Sequence, residues 1–170
     1  VAVLVLAAAS GCPHPSAPPP PPVARVAILP PVDHTGSGLL VAGGSLLERY
    51  AFRSPRVTVA DLLAAEAAAV LRERGVGLVG AEAVADGSGA TLRLEIWRWE
   101  PDGDTQPASV LVGLEATLVD GASGRTIWRW RPQPHPIATT GAVTLAVAHQ
   151  IAARAAVAEL LASWQQRVPC

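Results

Sequence analysis

Two stretches of this chain alternate so regularly that they leave little choice of fold. Across 90–99, Leu92, Leu94 and Ile96 fall on one side of an extended chain, and across 110–119 Val110, Val112, Leu114, Ala116 and Leu118 do the same. Successive strand side chains point to opposite faces, so each stretch reads as a strand with one buried side. Joined by the polar loop 101–107, the two read as an antiparallel pair. Asp120-Gly121-Ala122-Ser123-Gly124 is a tight hairpin connection into a third strand, 125–131. Prolines at 132, 134 and 136 then predict that the chain leaves the sheet.

The remaining elements frame these strands. Residues 23–29 are rich in branched side chains and read as a buried, central strand that Pro30-Pro31 ends, with a polar turn over 32–38. Within 39–50, Ser45-Leu46-Leu47-Glu48 matches a capping box and predicts one or two helical turns. The clearest helix lies between Thr58 and Gly75. Thr58 caps it with Asp61 at the third position, and Leu62, Leu63, Val70 and Leu71 form its apolar stripe. Arg72 and Arg74 occupy the last turn, and Gly75 supplies the left-handed stop. A short strand over 76–79 and a helical turn over 81–85 follow. A long Ala-rich helix runs from Thr139 or Thr140 to about residue 166, with Val143, Val147, Ile151, Ala155 and Ala158 along its stripe. The order predicts an α/β two-layer sandwich: one mixed, largely antiparallel sheet of about five strands with the helices on one face.

The N-terminus sets where such a domain works. Residues 1–11 are an apolar run ending in small residues, too short for the about 20 needed to span a bilayer, and they read as a signal peptide. With no Met and no basic segment at Val1, the expectation is a signal peptide whose start is missing. The small residues running into Cys12 resemble the bacterial lipobox, although Ala9 stands where that motif prefers Leu. The resemblance implies that Cys12 is lipidated, with acyl chains such as palmitate, and becomes the mature N-terminus. Pro13 follows and lacks the Asp that resembles an inner-membrane retention signal, which favours the outer membrane. Residues 12–22 form the lipidated Cys and Pro-rich tether; its ten residues after Cys12 favour polyproline II at about 3.1 Å per residue and hold the domain roughly 30 Å from its anchor. Residues 23–170 remain as a single periplasmic α/β domain.

Charge and motifs narrow the chemistry. Net charge is −1 and charged residues make up 16%, so no electrostatic case exists for nucleic acid. All 13 basic residues are Arg, which reads as compositional bias. With Cys12 taken by lipid, Cys170 is a terminal thiol, read as an unpaired bystander more readily than as a link to another chain. No nucleophile elbow, phosphate loop, dinucleotide fingerprint or zinc motif occurs, and the histidines at 14, 34, 135 and 149 lack metal-ligand spacing. No cofactor or metal is expected beyond the covalent lipid on Cys12. A hydrolase would have to bring Asp33, His34 and His135 into one cleft.

The unusual chemistry is aromatic. Four of the five tryptophans stand as Trp97-Arg98-Trp99 and Trp128-Arg129-Trp130. In extended chain each pair projects from one side, with Trp97 and Trp99 opposite Leu92, Leu94 and Ile96. Joined by Trp128 and Trp130, and with Arg98 and Arg129 placed for cation–π stacking, they predict a partner-binding patch on the uncovered sheet face. The competing reading places one Trp pair in the core.

Two segments carry a family resemblance. Val26-Ala27-Ile28-Leu29-Pro30-Pro31-Val32-Asp33-His34-Thr35-Gly36 resembles the opening strand and loop of small bacterial envelope lipoproteins of the LpoB, curli-secretion and TolB N-terminal-like group, with Asp33 where their motif has Asn. The stretch from Leu118 through Asp120-Gly121-Ala122-Ser123-Gly124 to Trp128 is similar to an element of those lipoproteins and of auxiliary lipoproteins of ABC-type transport systems. The resemblance implies a periplasmic domain that works by contact and carries no catalytic residues across. The expectation is a lipid-anchored, non-enzymatic adaptor of the outer membrane, facing the periplasm and docking on an envelope protein complex that assembles, secretes or transports. The alternative is a glycan- or lipid-binding module using a Trp-lined sheet face. Oligomeric state is open.

Overall fold

The computed structural model describes residues 23–36, 57–84, 87, 89–103 and 106–165. The signal peptide, Cys12, the Pro-rich tether, the capping-box segment at Ser45–Glu48 and Cys170 lie outside the described residues. In chain order the elements are β1 (Arg25–Ile28), β2 (Val32–Asp33), α1 (Val59–Glu73), β3 (Gly77–Leu78) and α2 (Ala81–Val84). They continue with β4 (Ala90–Pro101), β5 (Ser109–Asp120), β6 (Thr126–Trp130), β7 (His135–Ala138) and α3 (Leu145–Gln165).

One mixed sheet runs β3-β1-β4-β5-β6, with β2 also on β4 and β7 also on β5. The pairs of β1 with β3 and of β1 and β2 with β4 are parallel, whereas β4–β5, β5–β6 and β5–β7 are antiparallel. The two long alternating stretches form the central antiparallel ladder, as their pattern requires. Pro30-Pro31 splits the first edge of β4 into β1 and β2, so part of the segment read as a turn is in the sheet. Pro132 and Pro134 likewise separate β6 from β7.

The chain therefore does not leave the sheet after Pro132, as its prolines predict. It returns as β7, with Pro136 opposite Leu111. Proline lacks a backbone N–H, and β7 pairs on one side alone, so the missing donor sits on an edge where no ladder bond is lost.

α1 and α3 pack against each other and on the sheet, α1 over β1, β3 and β4 and α3 over β5, β6 and β7. The covered face carries Leu92, Leu94 and Ile96 of β4 and Val110, Val112, Leu114, Ala116 and Leu118 of β5, which meet Leu63, Val70 and Leu71 of α1 and Val157, Leu160 and Leu161 of α3. Thr58 caps α1 in a full capping box: its Oγ1 accepts from Asp61 N at 3.1 Å, and Asp61 Oδ2 accepts from Thr58 N at 2.8 Å. Gly75, at φ 76°, ends the helix, with its N–H on Arg72 O and that of Val76 on Leu71 O, a Schellman arrangement.

α3 differs from its expected form in start and in face. Thr144, not Thr139 or Thr140, caps it, accepting from Val147 N at 3.2 Å. Thr139 instead ties the chain to the end of β5, donating its hydroxyl to Pro107 O at 2.5 Å and its N–H to Ala108 O at 2.9 Å. The buried face holds Ala148, His149, Ala152, Ala153, Ala156, Val157, Leu160 and Leu161, while Val143, Ala155 and Ala158 of the expected stripe are exposed. A helix apolar on nearly every side has too shallow a periodicity to show which side packs.

Candidate functional site

The sheet face turned away from α1 and α3 carries the polar residues of the alternation. Glu95 of β4 lies directly opposite Glu115 of β5, and Arg93 opposite Thr117. Arg129 of β6, opposite Thr117, shares that face. Val32 of β2 pairs with Glu95 and is exposed there.

An irregularity in β4 decides which tryptophan joins them. Ile96 pairs with Leu114 and Arg98 with Gly113, so Trp97 is an extra residue, a β-bulge. Gly113 leaves the room this needs, since a Cβ there would lie 3.0 Å from Arg98 Cβ and 3.2 Å from Pro134 Cγ. Beyond the bulge the alternation changes face. Trp97 stays on the open face, 40% exposed, and Trp99, opposite Val112, turns into the core at 3%.

Trp97 and Trp99 thus do not share a face, a correction to the expected patch. Trp128 is also core, 5% exposed, with its ring 6.4 Å from that of Trp164. Trp130, opposite Ala116, lies on the face of Trp128 but at its margin, 37% exposed. Each Trp-Arg-Trp motif therefore gives one indole to the core and one to the surface, and the two exposed indoles lie on opposite faces. A groove lined by all four does not form. Arg98 does not reach an indole; it makes a two-pronged pair with Glu100, at 2.9 and 3.0 Å, which raises its pKa.

What surrounds Trp97 is a chain of contacts across three strands. The His34 ring stacks on Trp97 with centroids 3.9 Å apart, and His34 Nε2 lies 3.0 Å from Glu95 Oε2. The Arg131 guanidinium lies over the same indole at 4.6 Å and 3.6 Å from Glu115 Oε2. Arg129 Nε donates to Glu115 Oε1 at 2.5 Å, which raises the Arg129 pKa further above its usual range. The Glu115 side chain is 2% exposed beneath two guanidiniums that remain largely in solvent. Its carboxylate fixes Arg129 over the sheet by a hydrogen bond and draws Arg131 by charge alone, and Arg131 presents the cation expected of Arg98 and Arg129. The alternation of Gly113, Glu115 and Thr117 along β5 was the signal for Glu115; nothing local marks the His34 stack, which depends on β2 pairing with β4.

Asp33, His34 and His135 are not brought together. Asp33 Oδ1 accepts from Thr35 N at 2.8 Å, His34 is on the open face, and His135 lies beside Glu159 of α3 at 3.0 Å. Donation of His135 Nδ1–H to Gln133 O, and then Glu159, raise the pKa of His135. Among the described residues no group of three His, Cys, Asp or Glu side chains could hold a metal ion. The 145–164 part of α3 is long and apolar enough to cross a membrane, but here it is a helix of the core.

These features define the class: an α/β sandwich with one face of a mixed sheet covered by two helices and the other charged and, among the described residues, open. No protein-family model matches the chain, and no curated protein matches it. Solved structures do. PelC from Paraburkholderia phytofirmans, a dodecamer, aligns at 15% identity over 82% of this chain and 86% of its own, with a TM-score of 0.53. Protein XCC0632 from Xanthomonas campestris, of family DUF330, aligns at 16% identity over 91% and 92%, with a TM-score of 0.54. Lipoprotein GNA1162 from Neisseria meningitidis aligns at 15% identity over 85% and 97%, with a TM-score of 0.43, too low to equate the folds. This chain shares the fold of the first two.

Proposed function

We propose that this chain is a non-enzymatic accessory lipoprotein of the bacterial outer membrane, anchored through lipid on Cys12, facing the periplasm and docking on an envelope assembly, secretion or transport machine. The observation that carries the docking half is the open sheet face. Trp97 and Val32 are exposed there beside Arg129 and Arg131, and Trp and Arg are the residues most enriched where interfaces concentrate their energy. The His34 stack and the buried Glu115 hold this surface in one arrangement before any partner arrives, which lowers the ordering cost of binding. The anchoring half rests on the lipobox-like run into Cys12, and the specific likeness to the LpoB and ABC-transport auxiliary groups rests on the motifs at 26–36 and 118–128.

The experiment is a crosslinking capture of the full chain from its native envelope, read by mass spectrometry, with the wild type beside Trp97→Ala. Recovery of a subunit of a synthase, pore or transporter that drops about tenfold or more with the variant supports the proposal. Equal recovery by the two, or recovery of lipid or glycan alone, overturns it. The likeness to the PelC dodecamer favours a second form of the same reading, in which copies of this chain assemble with one another. Native mass spectrometry of the full chain decides that form, and a single-chain mass ends it.

A further inference from the structure

The inward turn of Trp99 places a buried histidine under an unusual constraint. Trp99 Nε1–H donates to His149 Nδ1 at 2.9 Å, and both residues are buried. An imidazole that accepts at Nδ1 is neutral and carries its proton on Nε2. The imidazolium has a hydrogen on both nitrogens, and an indole N–H has no lone pair to receive one. Protonated His149 would set donor against donor, so the proton and this hydrogen bond exclude each other. His135 behaves oppositely, because beside Glu159 it gains an ion pair on protonation.

Among the described residues no counter-ion waits for a proton on His149. On α1 and just after it, Glu73 faces Arg154 and Arg74 donates to Leu161 O, both farther along α3. On β7, His135 faces Glu159. Beside Trp99 on β4, Arg98 and Glu100 pair with each other, and on β5 and β6 Glu115 and Arg129 occupy the opposite face. Burial alone acts on His149 and pushes its pKa below the ordinary imidazole range. The first turns of α3 pack through small side chains, Ala148 and Ala152, and among the described residues their other polar ties are weak: the Thr144 cap is local, and the contact of Gln106 Nε2 with Val143 O is long, 3.3 Å, and exposed.

We propose that the Trp99–His149 hydrogen bond is an acid-sensitive latch, in which a proton on His149 Nδ1 breaks the bond and frees the first two turns of α3 from the end of β4 while the later turns stay packed. The later turns have their own anchors in Leu160, Leu161 and the Arg74 contact, so the helix can part without the sheet opening.

The test is an NMR titration of the full chain from about pH 7.5 to about pH 5, following the Trp99 indole N–H, the His149 ring nitrogens and amide exchange along α3. The expected result is a neutral His149 protonated on Nε2 at the upper end. As it gains a proton, the Trp99 resonance should shift in step, and exchange over 148–153, corrected for its intrinsic pH dependence, should rise about tenfold per pH unit relative to 157–161. His149→Gln, whose amide oxygen accepts at every pH, should abolish this dependence. Should that variant fail to fold, Trp99→Phe serves in its place, and with no bond to break its His149 should take a proton at higher pH than in the wild type. A Trp99 resonance that stays fixed while His149 titrates, equal acceleration in both halves of α3, or a folded variant with wild-type pH behaviour overturns the latch.

Discussion

Glu115 and Arg129 form one pair whose halves are not interchangeable. The carboxylate is buried while the guanidinium is 65% exposed, so an arginine that loses its partner is rehydrated at once and a carboxylate that loses its partner is not. Arg129→Ala should therefore destabilise the domain by about 1–3 kcal/mol, and Arg131→Ala, whose closest contact with Glu115 is 3.6 Å, by about 1 kcal/mol or less. Urea denaturation of the two variants checks the order, and equal midpoints would show that solvent already reaches the carboxylate. The histidines make a second prediction. His149 has a folded pKa below its ordinary 6.5, so its contribution to stability is complete above that value and is lost as pH falls toward the folded one. His135 has a raised folded pKa, so its contribution is complete below 6.5 and is lost as pH rises through the folded value. Solvent reaches the His135 pair and weakens it, so His149 prevails and stability should drop between about pH 7.5 and about pH 5.5. Urea midpoints at those two values should converge in His149→Gln and spread further in His135→Gln.

At the scale of elements the bulge in β4 governs the outcome. One extra residue moves Trp99 from the open face to the core, so the two tryptophans of a single motif take unrelated roles. Trp99→Ala empties core volume and breaks the bond to His149, and should cost about 3–5 kcal/mol. Trp97→Ala removes a surface stack and should cost about 1 kcal/mol or less. Thermal unfolding of the pair checks this, and a similar loss in both would place Trp97 in the core as well. The faces of β4 up to Ile96 and of β5 throughout were legible because alternation continues as long as the pairing is regular. The caps of α1 were legible because Thr58, Asp61 and Gly75 act through local backbone geometry. The bulge was not, since it depends on what lies across the ladder at Gly113, and β7 was hidden because a proline reads as a breaker until the strand is known to be an edge. The packing face of α3 stayed illegible for a related reason: alanines surround the helix, and the tertiary fit to the sheet selects among them.

For the whole molecule, sequence and fold supply complementary parts of one arrangement. The sandwich that this chain shares with PelC and XCC0632 buries one sheet face under helices and, among the described residues, leaves the other open. In the proposed arrangement, lipid on Cys12 and the proline run after it would set a reach from the membrane. Two or three acyl chains give lasting attachment where one is marginal, so Cys12→Ser should move the protein from the membrane fraction to the soluble one. A fully processed Cys12→Ser protein that stays with membranes would end the lipoprotein reading. The proline run has a separate consequence. At about 3.1 Å per residue, deleting the five prolines at 18–22 shortens the reach by roughly 15 Å while leaving Cys12 and the folded domain intact. Membrane attachment and the urea midpoint should then match the wild type, whereas crosslinking to the proposed partner should fall because the open face would no longer arrive at its height. Because a polyproline spacer is semi-rigid, Gly-Ser residues of equal number should restore the partner only in part; full recovery of crosslinking with that flexible linker would show that length alone, and not stiffness, sets where the domain stands.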